Sequence, residues 1–548
     1  MRLLVKRGLN SAAMIQDFLN PRLANLDDPF KIAGMNRCIS RLIEAIEGGQ
    51  KILVLGDYDV DGVTSTTLFV LILRHFGSNP RYLVPRRLDE GYGLSIQALE
   101  RAMEFEKPDL FVALDCGTNS IEEISYLKNQ GIDVIVVDHH QCTIDPNLQD
   151  EFTLINPHSS ENSSLAWKNM CTVGLVFKVV HALIKELRKQ GNSIAHELKI
   201  KDFLDLVALG TIADMVPLQQ ENRTLARYGM DQLRSSKNAG IQALCESSGI
   251  HESRVLQTSD VSFKLCPRIN ASGRLADAAL PVQMLLETNP VKCKEYANKL
   301  NQLNLDRRKI ESTIAQEAEN LVEEGMTSMR GIVAYSSDWH PGVVGIVAGK
   351  LCRQYNKPAI VLGQDGDYAQ GSARSVGKVD LVAVMNECKD HLVRWGGHPM
   401  AVGLTLEADQ VDAFRESFSI AIKKLYGPRL PPPSLEVEAW IDLEDLGEDL
   451  LDLLDLMQPF GQTNREPIFG IRSVQLPFNP NPFGKDHFRF HLYNLSGDRL
   501  QGIAWKMVDY MPSMGQKIDI VFRFAWNEWN GNRYPQITLL DWRLSDSN

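Results

Sequence analysis

Short apolar runs bounded by charge recur through the first third of the chain: Ile52–Leu55, Arg81–Pro85, Leu110–Leu114, Ile132–Val137 and Thr153–Ile155. Each is brief and apolar, several are rich in β-branched residues, and the pattern predicts buried strands. Longer segments with helical periodicity lie between them, and that alternation predicts βαβ units and a parallel sheet. Residues 1–50 read as a helical segment leading into the sheet, with Met35–Ile46 amphipathic ahead of Gly48-Gly49. Residues 160–250 read as mostly helical, interrupted by Gly210-Thr211-Ile212-Ala213-Asp214-Met215-Val216-Pro217. From 276 to 325 the chain is rich in Leu, Ala, Lys and Glu and has no proline after Pro290, which predicts long connecting helices.

A second α/β pattern spans about 330 to 427, with Gly331–Tyr335, Ala359–Leu362 and the Gly-rich Trp395-Gly396-Gly397-His398. Pro428 and Pro431-Pro432-Pro433 then mark a linker, because proline runs stiffen and punctuate the chain. Beyond it the pattern turns to short strand-like runs such as Lys517–Ala525 and Tyr534–Leu540, and five of the eight tryptophans fall there. The expected fold class is α/β: a parallel-sheet domain, a helical connector, a second smaller α/β domain and an all-β tail. The expected boundaries are 1–50, 51–250, 251–329, 330–430 and 431–548. There is no internal repeat. The run Asp442–Asp455 holds seven acids and no base, and reads as a solvated helix face.

Composition narrows the picture modestly. With 548 residues and 44% hydrophobic content the chain can bury several cores, at roughly 150 residues per domain. A net charge of −11 argues against a nucleic-acid coat protein, yet leaves room for a basic channel leading to an acidic site. Nine scattered cysteines without a Cys-x-x-Cys pair point to reduced thiols. Met1–Arg7 lacks the apolar core of a signal peptide, and no stretch approaches the roughly 20 apolar residues of a membrane span, so a cytoplasmic protein is expected.

The chemistry is concentrated where strands end. Gly56-Asp57-Tyr58-Asp59-Val60-Asp61-Gly62 follows the first run, Asp115-Cys116-Gly117 the third and Asp138-His139-His140 the fourth. Ligands of open α/β sheets bind outside the carboxyl ends of the strands. Carboxylates massed there repel one another and are costly to bury unless a cation joins them, and no Lys or Arg lies inside the clusters. Asp59 and Asp61, one residue apart, point to one side in extended backbone, and Asp57 shares the spacing. With Asp115 they suit an oxygen-rich two-metal cage, and mixed Asp/His ligation without thiolate favours Mn²⁺ or Mg²⁺ over structural zinc. Adjacent His139 and His140 must face different directions, one toward metal and one toward substrate. A lone Asp-x-Asp is usually a turn or cap and a lone His pair usually structural; joint placement at successive strand ends makes the metal reading the stronger one. Cys116 and Cys142 are assigned to packing.

These motifs, with Ala213-Asp214, resemble the DHH phosphoesterase superfamily. Within it the chain is similar to the bacterial single-strand-specific exonucleases along nearly its whole length. Further matches are Arg87 with Gly91-Tyr92-Gly93, Pro267-Arg268-Ile269-Asn270-Ala271-Ser272-Gly273-Arg274, Trp339-His340-Pro341-Gly342, Gly371-Ser372-Ala373-Arg374 and Gly396-Gly397-His398-Pro399. The resemblance implies a DHH catalytic domain, a DHH-associated substrate domain and an OB-fold tail. It implies a metal-dependent enzyme that degrades single-stranded DNA from 5′ to 3′ into 5′-mononucleotides in recombination and repair. Carried over by position, Asp59, Asp61, Asp115, His139 and Asp214 would hold two divalent ions, Mn²⁺ or Mg²⁺, with Asp115 bridging. His140 would sit beside the scissile phosphate, and Asp138 would orient a neighbouring ligand. Arg87, Ser372 and Arg374 would hold the 5′ end, guanidinium forks matching phosphate oxygens. Arg268, Asn270, Arg274 and His398 would line the strand path.

Many superfamily members have a ligating histidine four residues before the position of Asp59; here that position is Leu55. One metal is therefore expected to bind weakly and to arrive with DNA, with Asp57, water or substrate completing its shell. Single-strand preference is expected from a channel between the two α/β domains too narrow for duplex. In the tail, Phe488, Phe490, Trp505, Trp526, Trp529 and Tyr534 alternate with Lys485, Arg489, Lys506 and Arg533; more than half of these aromatics are expected in a barrel core and one or two on a stacking surface. Implied partners are a single-stranded-DNA-binding protein and a RecQ-type helicase, with the chain acting as a monomer. Two rival readings are a small-substrate phosphoesterase, which would not need the aromatic tail, and a non-catalytic binding scaffold, which would have lost ligands.

Overall fold

The computed structural model describes residues 2–86, 90, 93–144, 151–159, 167–250, 256–493, 497, 499–529 and 532–545. The chain gathers into two compact units, one of residues 1–270, 278–297 and 436–548, the other of residues 271–277 and 298–435.

The first unit is built on five parallel strands: β1 (Ile52–Gly56), β2 (Arg81–Leu83), β3 (Leu110–Leu114), β4 (Asp133–Val137) and β5 (Thr153–Ile155), in the order β2-β1-β3-β4-β5. β1 and β3 are buried along their whole length, as the apolar runs predict. The chain steps outward from β1 to β2 and returns on the other side at β3. That reversal opens a crevice beyond the carboxyl ends of β1 and β3, where ligands of such sheets bind. One face packs against Leu94, Leu99, Ile124 and Leu127.

On the helical side the helix Thr172–Lys189 is buried at thirteen positions, Lys178 among them. Lys178 Nζ meets Glu221 Oε2 at 2.9 Å and the carbonyl of Asp27 at 2.7 Å, so the buried charge is paired and its donors are used. The interruption expected over Gly210–Pro217 begins later than its glycine: the helix Leu204–Ala213 runs through Gly210 and ends at Asp214, and the next helix begins at Gln220. Glycine is retained there for proximity. A Cβ on Gly210 would lie 2.5 Å from Thr64 Oγ1 and 2.7 Å from Val173 Cγ1.

The tail forms a seven-stranded sheet in the same unit: β11 (Ala439–Trp440), β12 (Phe469–Gln475), β13 (Asn481–Phe483), β14 (His487–Tyr493), β15 (Arg499–Ala504), β16 (Lys517–Trp529) and β17 (Asn532–Leu544), ordered β11-β12-β16-β17-β15-β14-β13. Its core of Phe469, Phe488, Phe490, Phe522 and Phe524 also takes in Leu3 and Leu4 from the start of the chain. The helix Glu448–Met457 buries Leu451, Leu454 and Met457 and leaves Glu448, Asp449 and Asp452 exposed, the solvated face expected of the acidic run. Arg223 and Arg227 donate to the carbonyls of Leu456 and Gln458 at its end, where unsatisfied carbonyls attract cations. Phe488 and Phe490 are core, Trp526 is half-buried under Arg533, and Trp505 and Tyr534 are exposed.

The second unit holds a mixed sheet of β6 (Ile332–Ser336), β7 (Ala359–Asp365), β8 (Tyr368–Arg374), β9 (Arg394–His398) and β10 (Ala401–Glu407), ordered β6-β7-β8-β10-β9, with β6 and β7 parallel and the other pairs antiparallel. Alternate residues of β7 face opposite sides. Ile360 and Leu362 pack with Phe414 and Phe418, whereas Ala359 and Val361 pack with Val343 and Val347. The 36-residue helix Pro290–Gly325 supplies Ile314 and Val322 to that second cluster. Among the described residues no helix is long and apolar enough to cross a membrane.

Candidate metal centre

The sheet delivers its acids in register. The N–H of Asp57 donates to the carbonyl of Leu114, that of Asp115 to Val137 and that of Asp138 to Ile155, so each aspartate continues the ladder just past its strand. Asp57 is wholly buried. Asp59 caps the helix Val60–His75, its Oδ1 accepting from the N–H groups of Asp61 at 2.9 Å and Gly62 at 3.1 Å. Gly62 is required here, because a Cβ would stand 2.4 Å from the carbonyl oxygen of Asp57. Asp61 lies in the first turn and faces the start of another helix: Thr172 N–H donates to its Oδ2 at 2.7 Å and Val173 N–H to its Oδ1 at 2.8 Å.

Asp115 adopts φ +65°, a backbone conformation that non-glycine residues enter at a cost and that recurs at functional sites. Its Oδ1 accepts from Thr172 Oγ1 at 2.8 Å and lies 3.6 Å from His139 Nε2. Asp214, at the end of the helix Leu204–Ala213, brings Oδ2 to 3.6 Å from the same nitrogen. Asp138 collects five donors: Thr118 N–H and Oγ1 on one oxygen, and the N–H groups of His139 and His140 with His140 Nδ1 on the other. Asn156, just past β5, donates to Thr118 Oγ1 at 2.8 Å and to the carbonyl of His140 at 2.9 Å.

The electrostatics of this arrangement call for a cation. Burial, then the charge of Asp59, pushes Asp61 up to about 7. Burial, then the charges of Asp61 and Asp59, pushes Asp214 up to about 8 and holds Asp115 well above the carboxylate range. Among the described residues Asp59, Asp61, Asp115 and Asp214 have no Lys or Arg ion pair. Asp214 Oδ2 is buried with no hydrogen-bond donor, an acceptor aimed into the cluster. Potential ligand atoms converge within 4.8 Å of one another in three overlapping sets: Asp61, His139 and Asp214; Asp115, His139 and His140; and Asp57, Asp59 and Asp115. This all-oxygen and imidazole donor set fits divalent Mn²⁺ or Mg²⁺.

The two histidines are driven apart. Burial and the charge of His140 push His139 down to about 4, leaving a neutral ring with a lone pair for a metal. Burial also opposes charge on His140, but the hydrogen bond and charge of Asp138 outweigh it and push His140 up to about 9. Asp138 is held well below the usual carboxylate range; burial would raise it, and His140 and Thr118 prevail. The rings lie 4.7 Å apart at 53°.

Of the residues singled out from sequence, Asp57, Asp59, Asp61, Asp115, Asp138, His139, His140 and Asp214 meet at this edge. Leu55 is buried among Leu53, Phe111 and Ala113, and Asp57, Asp59 and Asp115 form a ligand set without a histidine. Cys116 packs in the same core, as assigned. Arg87, Gly91 and Tyr92 lie outside the described residues. Arg268 and Asn270, on the helix Cys266–Leu275, belong to the first unit, Asn270 with a buried Oδ1 lacking a donor. Arg274, Ser372, Arg374 and His398 belong to the second unit. There Ser372 Oγ and Arg374 Nη2 close on Gly345, where a Cβ would meet them at 3.1 and 3.3 Å. Thr118, Asn156, Thr172 and Gly210 are missed by the sequence reading. The rule that chemistry follows strand ends would have found Asn156, next after β5; nothing in the sequence flags Thr172.

Comparison with known proteins agrees with this geometry. Residues 51–211 match the DHH family N-terminal domain, 328–424 the DHHA1 domain and 437–541 the RecJ OB domain. The single-stranded-DNA-specific exonuclease RecJ of Bacillus subtilis is 34% identical over 99% of this chain and 68% of its own length. The Escherichia coli protein of the same name is 32% identical over 98% and 94%. Among solved structures, RecJ of Thermus thermophilus in complex with Mn²⁺ matches with a TM-score of 0.81 at 26% identity, covering 100% of this chain and 76% of that one. Its Mg²⁺ complex matches with a TM-score of 0.76 at 25% identity, covering 100% and 74%.

Proposed function

Since the chain belongs to the RecJ family of single-stranded-DNA-specific exonucleases, we propose that it hydrolyses single-stranded DNA from 5′ to 3′ at the metal centre described above, releasing 5′-mononucleotides. The observation that carries the reading is the convergence of Asp61, Asp115, His139 and Asp214 on one sheet edge where, among the described residues, no Lys or Arg pairs with the acids. We assign Asp59, Asp61, Asp115, His139 and Asp214 as ligands of two divalent ions, Mn²⁺ or Mg²⁺, with Asp115 shared and Asp57 completing the set that lacks a histidine. Divalent ions held by these residues would supply a nucleophile at neutral pH and would offset charge on the attacking and leaving oxygens of an in-line displacement.

The protein's own groups do the rest. Neutral His139 offers a lone pair, and the rigid ladder beyond β1, β3 and β4 fixes the carboxylates before substrate arrives. His140, kept cationic by Asp138, stands beside the scissile phosphate and offsets charge on its non-bridging oxygens. Arg87, Ser372 and Arg374 hold the 5′ phosphate, and Arg268, Asn270, Arg274 and His398 line the strand path; supporting this, Ser372 Oγ and Arg374 Nη2 already gather at one place. In the tail, exposed Trp505 lies edge-on to His487 and Phe483 beside Lys506, a cationic aromatic platform suited to unpaired bases. A cytoplasmic monomer served by a single-stranded-DNA-binding protein and a RecQ-type helicase completes the proposal.

The test is degradation of single-stranded oligonucleotides labelled at one end or the other, with Mn²⁺, Mg²⁺ or EDTA. Early mononucleotide release from the 5′ label, lost in EDTA and in Asp115→Ala, is expected. Release from the 3′ label first, or hydrolysis in EDTA, would overturn the assignment.

A further inference from the structure

Thr172 touches two acids of the metal centre at once. It opens the 18-residue helix Thr172–Lys189 and is wholly buried. Its N–H donates to Asp61 Oδ2 at 2.7 Å, and its hydroxyl to Asp115 Oδ1 at 2.8 Å. As a metal ligand Asp115 is ionised and only accepts, so in that state the hydroxyl proton points at its Oδ1. Threonine near a helix start ordinarily uses its oxygen on local backbone; this one is committed to a residue 57 positions earlier in the chain. The N-cap, Cys171, makes no side-chain capping bond. The donors at the helix start are instead met by Asp61, 111 positions away from Thr172. One residue therefore ties β3's aspartate to the first turn of the helix Val60–His75.

We infer that Thr172 is a positioning residue, whose hydroxyl and N–H together hold the Asp115 and Asp61 carboxylates in the orientations from which each serves as a metal ligand. The inference rests on the metal centre proposed above. Asp115 and Asp61 repel each other, and Asp115 has three further acids in its field. Free of its donor, the Asp115 side chain turns away from that repulsion, and each incoming ion must then overcome it. Partners that orient metal ligands in this way typically contribute tenfold to hundredfold in metal affinity. Asp61 keeps its two backbone donors whatever side chain stands at 172, so a substitution there isolates the effect on Asp115.

The experiment is Mn²⁺ binding to the full chain without DNA, read as loss of the free-ion electron paramagnetic resonance signal. Wild type is compared with Thr172→Val, which keeps the shape, and Thr172→Ser, which keeps the donor. We expect about a tenfold or greater rise in Kd for valine, near wild-type binding for serine, and nuclease activity in the valine variant restored by raised Mn²⁺. Thermal unfolding of the metal-free forms checks folding; should valine not fold, Thr172→Ala against Thr172→Ser makes the same comparison. Equal Mn²⁺ affinity in folded wild type and Thr172→Val overturns the role of Thr172. Failure of wild type to bind Mn²⁺ overturns the metal centre itself, a distinct result.

Discussion

Asp138 shows how one side chain can set the state of another. Five donors converge on it, and the consequence is a charged His140 next to a neutral His139. Asparagine at this position would keep the shape and two acceptor lone pairs, but not the charge. The imidazolium would then be favoured only by the weaker influence of Asp57 and Asp214, against the burial that already opposes it. Asp138→Asn is expected to lower kcat by about 10²–10³, the usual loss when one preorganised electrostatic stabiliser is removed. Mn²⁺ affinity should change far less, because Asp138 faces the histidine backbone rather than the Asp61 and Asp214 oxygens. Single-turnover rates at saturating metal, alongside Mn²⁺ titration, separate the two effects. A variant losing affinity and rate in parallel would instead make Asp138 a ligand.

At the level of elements, the site depends on the close crossing of the helices Leu204–Ala213 and Val60–His75 at Gly210. Alanine is the better helix former by about 1 kcal/mol. Its Cβ would nonetheless meet Thr64 Oγ1 at 2.5 Å, Val173 Cγ1 at 2.7 Å and Asp61 Oδ1 at 3.1 Å, and overpacking a rigid core typically costs about 1–3 kcal/mol. With contacts this short the clash lies at the upper end of that range and wins, so Gly210→Ala should lower urea-unfolding stability by up to about 2 kcal/mol and weaken activity further by moving Asp214 relative to Asp61. Unchanged stability would mean that the helices separate freely. The same crossing explains what sequence reading could and could not see. Strands β1, β3 and β4 were legible because full burial forces unbroken apolar runs, and the acids after them because charge there is abrupt. In the sequence Gly210 looks like the start of a break, since a glycine that permits contact and one that ends a helix look alike in one dimension. Asp115's left-handed backbone and Thr172's two bonds depend on tertiary geometry and leave no local mark.

The whole molecule carries a stability penalty at its metal centre. Asp61 and Asp214, raised to about 7 and about 8 when folded, ionise in the unfolded chain near the ordinary 3.8. Between those limits the folded state binds more protons, so metal-free stability falls as pH rises from about 4 to about 8 and the penalty is complete above that. Mn²⁺ or Mg²⁺ binds the folded state and offsets it, by about 2.7 kcal/mol at a free concentration a hundredfold above Kd. Other parts of the chain act from far off in sequence: Leu3 and Leu4 complete the tail's core, while Arg223 and Arg227 hold the end of the helix Glu448–Met457 to their own helix, Gln220–Arg234. Such long-range joins leave no trace in the sequence, where residues 1–50 look like a lead-in to the sheet, because two leucines carry no address. They make the first unit a body in which loss of metal should be felt beyond the site. The double variant Asp61→Asn with Asp214→Asn is expected to abolish Mn²⁺ stabilisation yet unfold, metal-free at pH 8, at higher urea than metal-free wild type. Calorimetry and urea titration with EDTA or Mn²⁺ measure both. If the double variant were less stable than metal-free wild type at pH 8, the bonds from Thr172 and Val173 to Asp61 would outweigh the repulsion, and the acids would be structural before they are functional.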